Sequence, residues 1–280
     1  MKILYGAGNL NGSNVRLSHF LRYTSHDVRI AAFYNNHECL EIIHWTLDAL
    51  STSKGGQSFK IKEIIGVPIK LDYEKFEMMV TDISEWNPDI VISDFEPICA
   101  HISGALEIPL ISCSPLHLLD GVYWKSPKRH LFSNESQHLK AFERASQRLV
   151  YSPFGLLDNA PKLKPGFDWI TPYPDHTVIH DRNLNSIQSL LKLNDSGFNV
   201  GDSGNIYHDM VHEKKMCVFD SPYESECAIN GVFVDALGLG VSLGQAELNM
   251  SYAKSKLDKF LLKNFNYSLN KEPEFLHKRI

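Results

Sequence analysis

The chain has no long apolar run: none of its 280 residues belongs to a stretch near the roughly 18 apolar residues needed to span a bilayer. A membrane-spanning helix is therefore not expected. Met1-Lys2-Ile3-Leu4-Tyr5 enters a strand pattern directly, without the apolar core and cleavage site of a secretion signal, which predicts a cytoplasmic protein. Cysteine is sparse, with five residues at 39, 99, 113, 217 and 227 and no Cys-x-x-Cys pair. An odd set without such spacing argues against a disulfide framework and predicts reduced, buried thiols at Cys99 and Cys113. The thirteen histidines include no His-Glu-x-x-His motif, and no Asp-x-Asp motif occurs, so no metal site is expected. Internal repeats and low-complexity tracts are absent. A net charge of −5 argues against a general nucleic-acid coat protein.

What is present is an ordinary globular composition, 43% hydrophobic and 22% charged, long enough for one large α/β domain or two small ones. The most informative stretch runs from Asp89 to His117. Ile90-Val91-Ile92 has the β-branched content of a buried parallel strand. Ser93 ends the run and delivers Asp94, Glu96 and Pro97 at its carboxyl end. A helical pattern follows, then Pro109 and a second strand, Leu110-Ile111-Ser112. In open parallel sheets the ligand crevice lies beyond the strands' carboxyl ends, so Glu96, Asp94 and His117 are the candidate catalytic residues, with Glu96 the first choice of base and Asp94 the second. The competing reading is structural, with Asp94 capping the helix and Glu96 in its first turn.

Upstream, strand 2–5 leads into Gly6-Ala7-Gly8-Asn9-Leu10-Asn11-Gly12-Ser13-Asn14 and a helix from Val15 to Tyr23. Glycine-rich turns at a helix start let a ligand approach backbone amides. A dinucleotide dehydrogenase would place an acid at the end of the second strand; Val28–Tyr34 ends instead in Asn35-Asn36, which counts against that activity. Residues 37–50 read as an amphipathic helix, 59–66 as a strand and Tyr73–Trp86 as a helix. Between Gly121 and Val150, six bases (125, 128, 129, 140, 144, 148) stand against Glu135 and Glu143. Lys140, Arg144 and Arg148 recur at helical spacing and read as a solvated helix face. The loop Tyr123–His130 mixes aromatics with Lys125, Lys128 and Arg129, a candidate anion-binding element.

Five prolines crowd 153–174, and alternation then resumes. Strands are expected at 177–179, 198–200 and 216–219, and helices near 183–193, after Gly201-Asp202-Ser203-Gly204-Asn205, up to Leu237 and at 248–263. The organisation expected is an acceptor-side domain over 1–151, a connection at 152–174, a donor-side domain over 175–250 and a helical tail to 280. The fold class is α/β, with doubly wound, Rossmann-like halves.

Glu226-Cys227-Ala228-Ile229-Asn230-Gly231, between Pro222 and Gly238-Leu239-Gly240, resembles the donor-site pattern of nucleotide-sugar glycosyltransferases with the GT-B fold. Asp209–Met216 is similar to that family's Glu-Ala-Leu-x-x-Gly-Lys-Pro, and Ser203-Gly204-Asn205 to its Gly-Gly or Ser-Gly turn. Gly12-Ser13-Asn14-Val15-Arg16 resembles Gly-His-x-x-Arg. The SDFEP run with His117 resembles microbial relatives of the lipid-linked peptidoglycan N-acetylglucosaminyltransferase. The resemblance implies two Rossmann-like domains facing across a cleft, with a shortened second domain. It implies that Ser203, Gly204 and Asn205 hold a donor diphosphate, that Asp209 meets the ribose and that Glu226 contacts the sugar, with Asn230 also in the donor site. Gly8 and Gly12 would face the diphosphate from the other side, with Ser13 and Arg16 near the acceptor. No cofactor is implied beyond a UDP-sugar substrate, and transfer would need no metal.

The chain departs from that family at three positions. Ser13 stands where histidine is common, Cys227 replaces glutamine, and Asp209 is one methylene shorter than glutamate. In build, the chain resembles the compact phage enzymes that glycosylate hydroxymethylcytosine in DNA. That resemblance implies glucose or arabinose as the sugar and DNA as a partner of Lys125, Lys128 and Arg129. A lipid-linked or surface saccharide acceptor, and a nucleotide-binding homologue without activity, stay open.

Overall fold

The computed structural model describes residues 1–8, 13–32, 43–47, 73–123, 139–173, 196–199, 201–220, 225–244 and 267–280 except 270, with isolated positions in 132–136 and 255–262. These divide into two compact units. The first comprises Met1–Val150, Leu163–Asp168 and Ile280; the second comprises Tyr151–Lys162 and Trp169–Arg279.

The first unit begins with β1 (Lys2–Ala7), α1 (Ser13–Tyr23), β2 (Asp27–Ala32) and β3 (Trp45–Thr46). It continues with α2 (Tyr73–Trp86), β4 (Ile90–Asp94), α3 (Pro97–Leu106), β5 (Leu110–Ser114) and the short α4 (His117–Gly121). Strands β6 (Gln147–Tyr151) and β7 (Phe167–Ile170) complete a seven-stranded sheet in the order β3-β2-β1-β4-β5-β6-β7. From β3 to β6 each pairing is parallel. Ile3, Leu4, Tyr5, Val91 and Ile92 are buried, as strands covered on both faces require. The chain runs outward one way through β2 and the other way through β4, which makes the β1–β4 boundary the topological switch point. Asp94 and Gly8 therefore lie where such sheets open a crevice.

Two expectations need correction here. Residues 37–50 were expected to be helical, yet Trp45 and Thr46 form β3, paired parallel with Ala31 and Ala32. Tertiary burial overrides the helical periodicity: the Trp45 ring lies 5.8 Å from that of Trp86, and its Nε1 donates to Asp82 at 3.1 Å. The rest of that segment, apart from 43, 44 and 47, lies outside the described residues, as do the strands expected at 59–66 and 177–179 and the helix at 183–193. Lys140, Arg144 and Arg148 do not share a helix face. Leu139–Phe142 is a single 3-10 turn, and Arg148 lies on β6 with its guanidinium 4.1 Å from the centre of the Phe167 ring. The apolar run Leu149-Val150-Tyr151 is fully buried, and pairing with β5 outweighs charge periodicity.

In the second unit, β8 (Ser196–Asn199), β9 (Lys215–Asp220) and β10 (Gly240–Gly244) form a parallel sheet in the order β10-β9-β8. Helix α5 (Ser203–Val211) joins β8 to β9, and α6 (Ser225–Ala236) joins β9 to β10. The ring of Phe233 on α6 stacks on Phe154 at 5.7 Å. The terminal segment, with α7 (Leu276–Arg279), is tied to residues 157–173 by backbone bonds from Asp158 N to Ser268 O and from Thr171 N to Glu274 O. Cys99, Cys113, Cys217 and Cys227 are free, buried thiols; burial pushes the Cys217 thiol up to about 12 and those of Cys99 and Cys113 well above their ordinary range.

Candidate active site

At the switch point, β1 must pass close to the β4–α3 turn. A Cβ on Gly8 would lie 2.6 Å from the Phe95 carbonyl oxygen, so only glycine fits, and Gly8 N donates to Asp94 O at 2.9 Å. Phe95 takes a positive φ of 51°, an uncommon conformation for a non-glycine residue. The Ser93 hydroxyl steadies the turn by accepting from Glu96 N at 3.0 Å and donating to Glu96 O at 2.8 Å.

The three candidate catalytic residues have different surroundings. Asp94 Oδ2 accepts from Arg16 Nε at 2.8 Å and from the Tyr5 hydroxyl at 3.3 Å. Asp94 and Arg16 are both buried, so this is a desolvated ion pair reaching 78 residues along the chain. Asp94 Oδ1 is buried without a hydrogen-bond partner among the described residues. Glu96, not Asp94, is the helix cap, which corrects the structural alternative: its oxygens accept from Ile98 N at 3.1 Å and Cys99 N at 2.5 Å. A cap must follow the strand's last residue closely enough to face the first amides, and the Phe95 turn puts Glu96 there. Burial pushes its carboxyl up to about 7, against the opposing pull of those two amides. His117 is fully buried at the start of α4, with Nδ1 3.1 Å from Asp120 Oδ1 and Nε2 2.7 Å from Ser112 Oγ. Because a carboxylate only accepts, Nδ1 carries the proton, and in the neutral ring Nε2 accepts from Ser112. Phe142 and Phe167 pack edge-on against the ring.

The structure thus brings together Gly8, Arg16 and Asp94. Glu96 shares their turn but directs its carboxylate into its own helix, and His117 belongs to a separate cluster with Ser112 and Asp120. Ser13 opens α1, while Gly12, Lys125, Lys128 and Arg129 lie outside the described residues. Tyr5, Ser112 and Asp120 were not singled out in the sequence. Tyr5 reaches Asp94 only because β1 pairs with β4, whereas Ser112 and Asp120 lie five and three residues from His117 and meet it locally, without a recognisable motif.

In the second unit, the turn between β8 and α5 is cross-braced by α6. Gly201 has φ +87°, and a Cβ there would lie 2.7 Å from Val218 Cγ1. Asp202 caps α5 by accepting from Asn205 N at 2.9 Å and from the Asn205 side-chain amide. Glu226 Oε1 accepts from Ser203 N at 3.0 Å. Asn230 Nδ2 donates to Gly201 O at 2.8 Å and to Ser203 Oγ at 3.1 Å, and its Oδ1 is buried with no partner among the described residues. Gly204 is buried in the first turn of α5. Asp209 is buried on the same helix, with Oδ1 3.4 Å from His208 Nδ1 and 3.8 Å from Lys214 Nζ. Six residues expected from sequence at the donor, Ser203, Gly204, Asn205, Asp209, Glu226 and Asn230, therefore belong to one pair of helices. The amides of Ser203 and Asn205 already carry carboxylate acceptors, which leaves the Gly204 N–H and the Ser203 O–H proton as donors at this helix start among the described residues.

Residues 1–151, more than half of the chain, match the profile of the family described as glycosyl transferase family 1. The chain belongs to glycosyl transferase family 1. This family 1 protein is a nucleotide-sugar glycosyltransferase. No curated protein sequence matches it. Among solved structures it is similar to the calicheamicin glycosyltransferase CalG4, with TM-score 0.55 and 11% identity over 94% of this chain and 90% of that one. It is also similar to the spinosyn forosaminyltransferase SpnP, with TM-score 0.54 and 12% identity over 93% and 90%. The SsfS6 glycosyltransferase of Streptomyces sp. SF2575 gives TM-score 0.52 and 14% identity over 92% and 91%. Such identities establish the fold. The glycosyltransferase has the α/β, Rossmann-like parallel sheets of GT-B structures over most of its length. Among the described residues, no helix is long and apolar enough to cross a membrane.

Proposed function

We propose that this chain transfers a sugar from a UDP-sugar to an acceptor hydroxyl by direct displacement, with the donor on residues 175–250 and the acceptor on residues 1–151. The acceptor oxygen attacks the anomeric carbon, the bond from that carbon to the diphosphate oxygen breaks, and the acceptor proton passes to a carboxylate. The observation that carries the donor reading is the brace from Glu226 and Asn230 to the Ser203 turn. It holds a helix start in place for the leaving diphosphate, whose developing charge the helix dipole and the Ser203 hydroxyl would meet without a metal. Asp209 would take the ribose and Glu226 the sugar, with Asn230 completing the donor site.

Of the three candidate bases, Asp94 is best supported, because its Oδ1 has no hydrogen-bond partner among the described residues. Both oxygens of Glu96 are held by helix amides, and both nitrogens of His117 are engaged. A positioned base contributes about 10²–10⁴ in rate. Asp94→Asn should therefore lower kcat with a UDP-sugar by about that factor and leave UDP affinity nearly intact, as read by turnover and calorimetry. Full turnover in the variant would remove Asp94 from this role.

For the acceptor we propose hydroxymethylcytosine in DNA, a reading supported by the basic, aromatic sequence 123–130, with Ser13 and Arg16 on the acceptor side. Neutralising phosphates releases counterions, so affinity must fall steeply with salt. Changing Lys125, Lys128 and Arg129 together to Ala should weaken DNA binding and flatten its salt dependence in a fluorescence titration. Unchanged binding and slope would count against a DNA acceptor.

A further inference from the structure

One helix of the second unit carries a pair of side chains that sugar transfer does not use. His208 on the last turn of α5 and His212, the residue that caps its C-terminus, stand four residues apart on one side, with ring centroids 4.3 Å apart. Each ring is oriented through Nδ1. His212 Nδ1 lies 2.8 Å from the His208 carbonyl oxygen, and His208 Nδ1 lies 3.4 Å from Asp209 Oδ1. Both oxygens only accept, so both Nδ1 atoms carry the proton and both Nε2 atoms carry a lone pair. Neither Nε2 has a partner among the described residues. Metal-binding histidines are set in this way, with the non-ligating N–H given to a carbonyl or carboxylate, and His-x-x-x-His on a helix is the spacing that lets two rings share one ion.

We propose that His208 and His212 chelate one divalent transition-metal ion through their Nε2 atoms. Two imidazoles select zinc, nickel or copper over magnesium or calcium, which prefer oxygen ligands. Among the described residues no group of three His, Cys, Asp or Glu is placed to hold an ion, so water completes the coordination. His208 is 35% exposed and His212 is exposed, which leaves the ion free to exchange. The spacing is present in the sequence, but without the glutamate of His-Glu-x-x-His it carries no signal until the helix and the two Nδ1 acceptors are known.

The test is calorimetric titration of the full chain, free of any histidine tag, with zinc chloride. One ion per chain is expected, with affinity reduced about tenfold or more in His208→Ala and in His212→Ala and unchanged in His101→Ala, an exposed histidine on α3. His212 bonds only to its own helix, so its variant should unfold at the wild-type temperature and separate ligation from folding. Copper added to the same proteins should show two coordinating nitrogens by electron paramagnetic resonance in wild type and one in each variant. Wild-type affinity in His212→Ala, or no binding by wild type at millimolar zinc, overturns the proposal.

Discussion

Glu96 stands where two demands conflict. Its carboxylate is a good cap for α3, because it satisfies two amides that the helix leaves unpaired, yet burial disfavours its charge. Burial wins, and the group sits at about 7 instead of 4.5. Between those values the folded state holds a proton that the unfolded chain has released. The stability from this group is therefore complete below about pH 4.5 and is lost as pH rises through 7. Glu96→Gln has no such loss. Urea denaturation at pH 5 and pH 8 should show wild type losing about 2–3 kcal/mol relative to the variant across that interval. Parallel pH profiles would mean that the carboxyl is charged throughout. Asp94 illustrates the limit of sequence reading at this scale. Its position at a strand end is legible, but its partner Arg16 lies 78 residues away and is fixed only when β1 and β4 pair.

At the scale of elements, local chemistry was readable and tertiary pairing was not. The strand–helix–strand unit from Ile90 to Ser114 follows from one β-branched run, one capping position with a proline after it, and a second apolar run. Strands β3 and β6 exist because neighbours pair with them, against a helical periodicity in both segments. The glycine turn before α5 is again local. Gly201 has a left-handed φ and sits against Val218, and its carbonyl receives Asn230. Gly201→Ala should cost about 1–3 kcal/mol in backbone strain, and more from the steric overlap. It should also weaken nucleotide binding, because the same turn positions Ser203. Chemical denaturation and calorimetry together check this; a variant with wild-type stability and affinity would show that the turn tolerates a Cβ.

For the whole molecule, alternating strands and helices were enough to indicate parallel α/β sheets, and the seven-stranded sheet has its reversal where Gly8 and Asp94 were expected to matter. The family follows from residues 1–151, whereas the residues proposed for the donor come from fragments scattered from Ser203 to Asn230. The substrate is not legible at this scale, because relatives of 11–14% identity share only the fold. Nucleotide binding is therefore the property to measure. Thermal unfolding with saturating UDP, GDP, dTDP and NAD in parallel tests it most directly, since a ligand at about a hundred times its dissociation constant adds roughly 2.7 kcal/mol. UDP alone should raise the unfolding temperature of wild type, and Asp209→Ala should lose the shift. A shift with NAD alone, or with none of the four, would contradict a UDP-sugar donor site on α5 and α6.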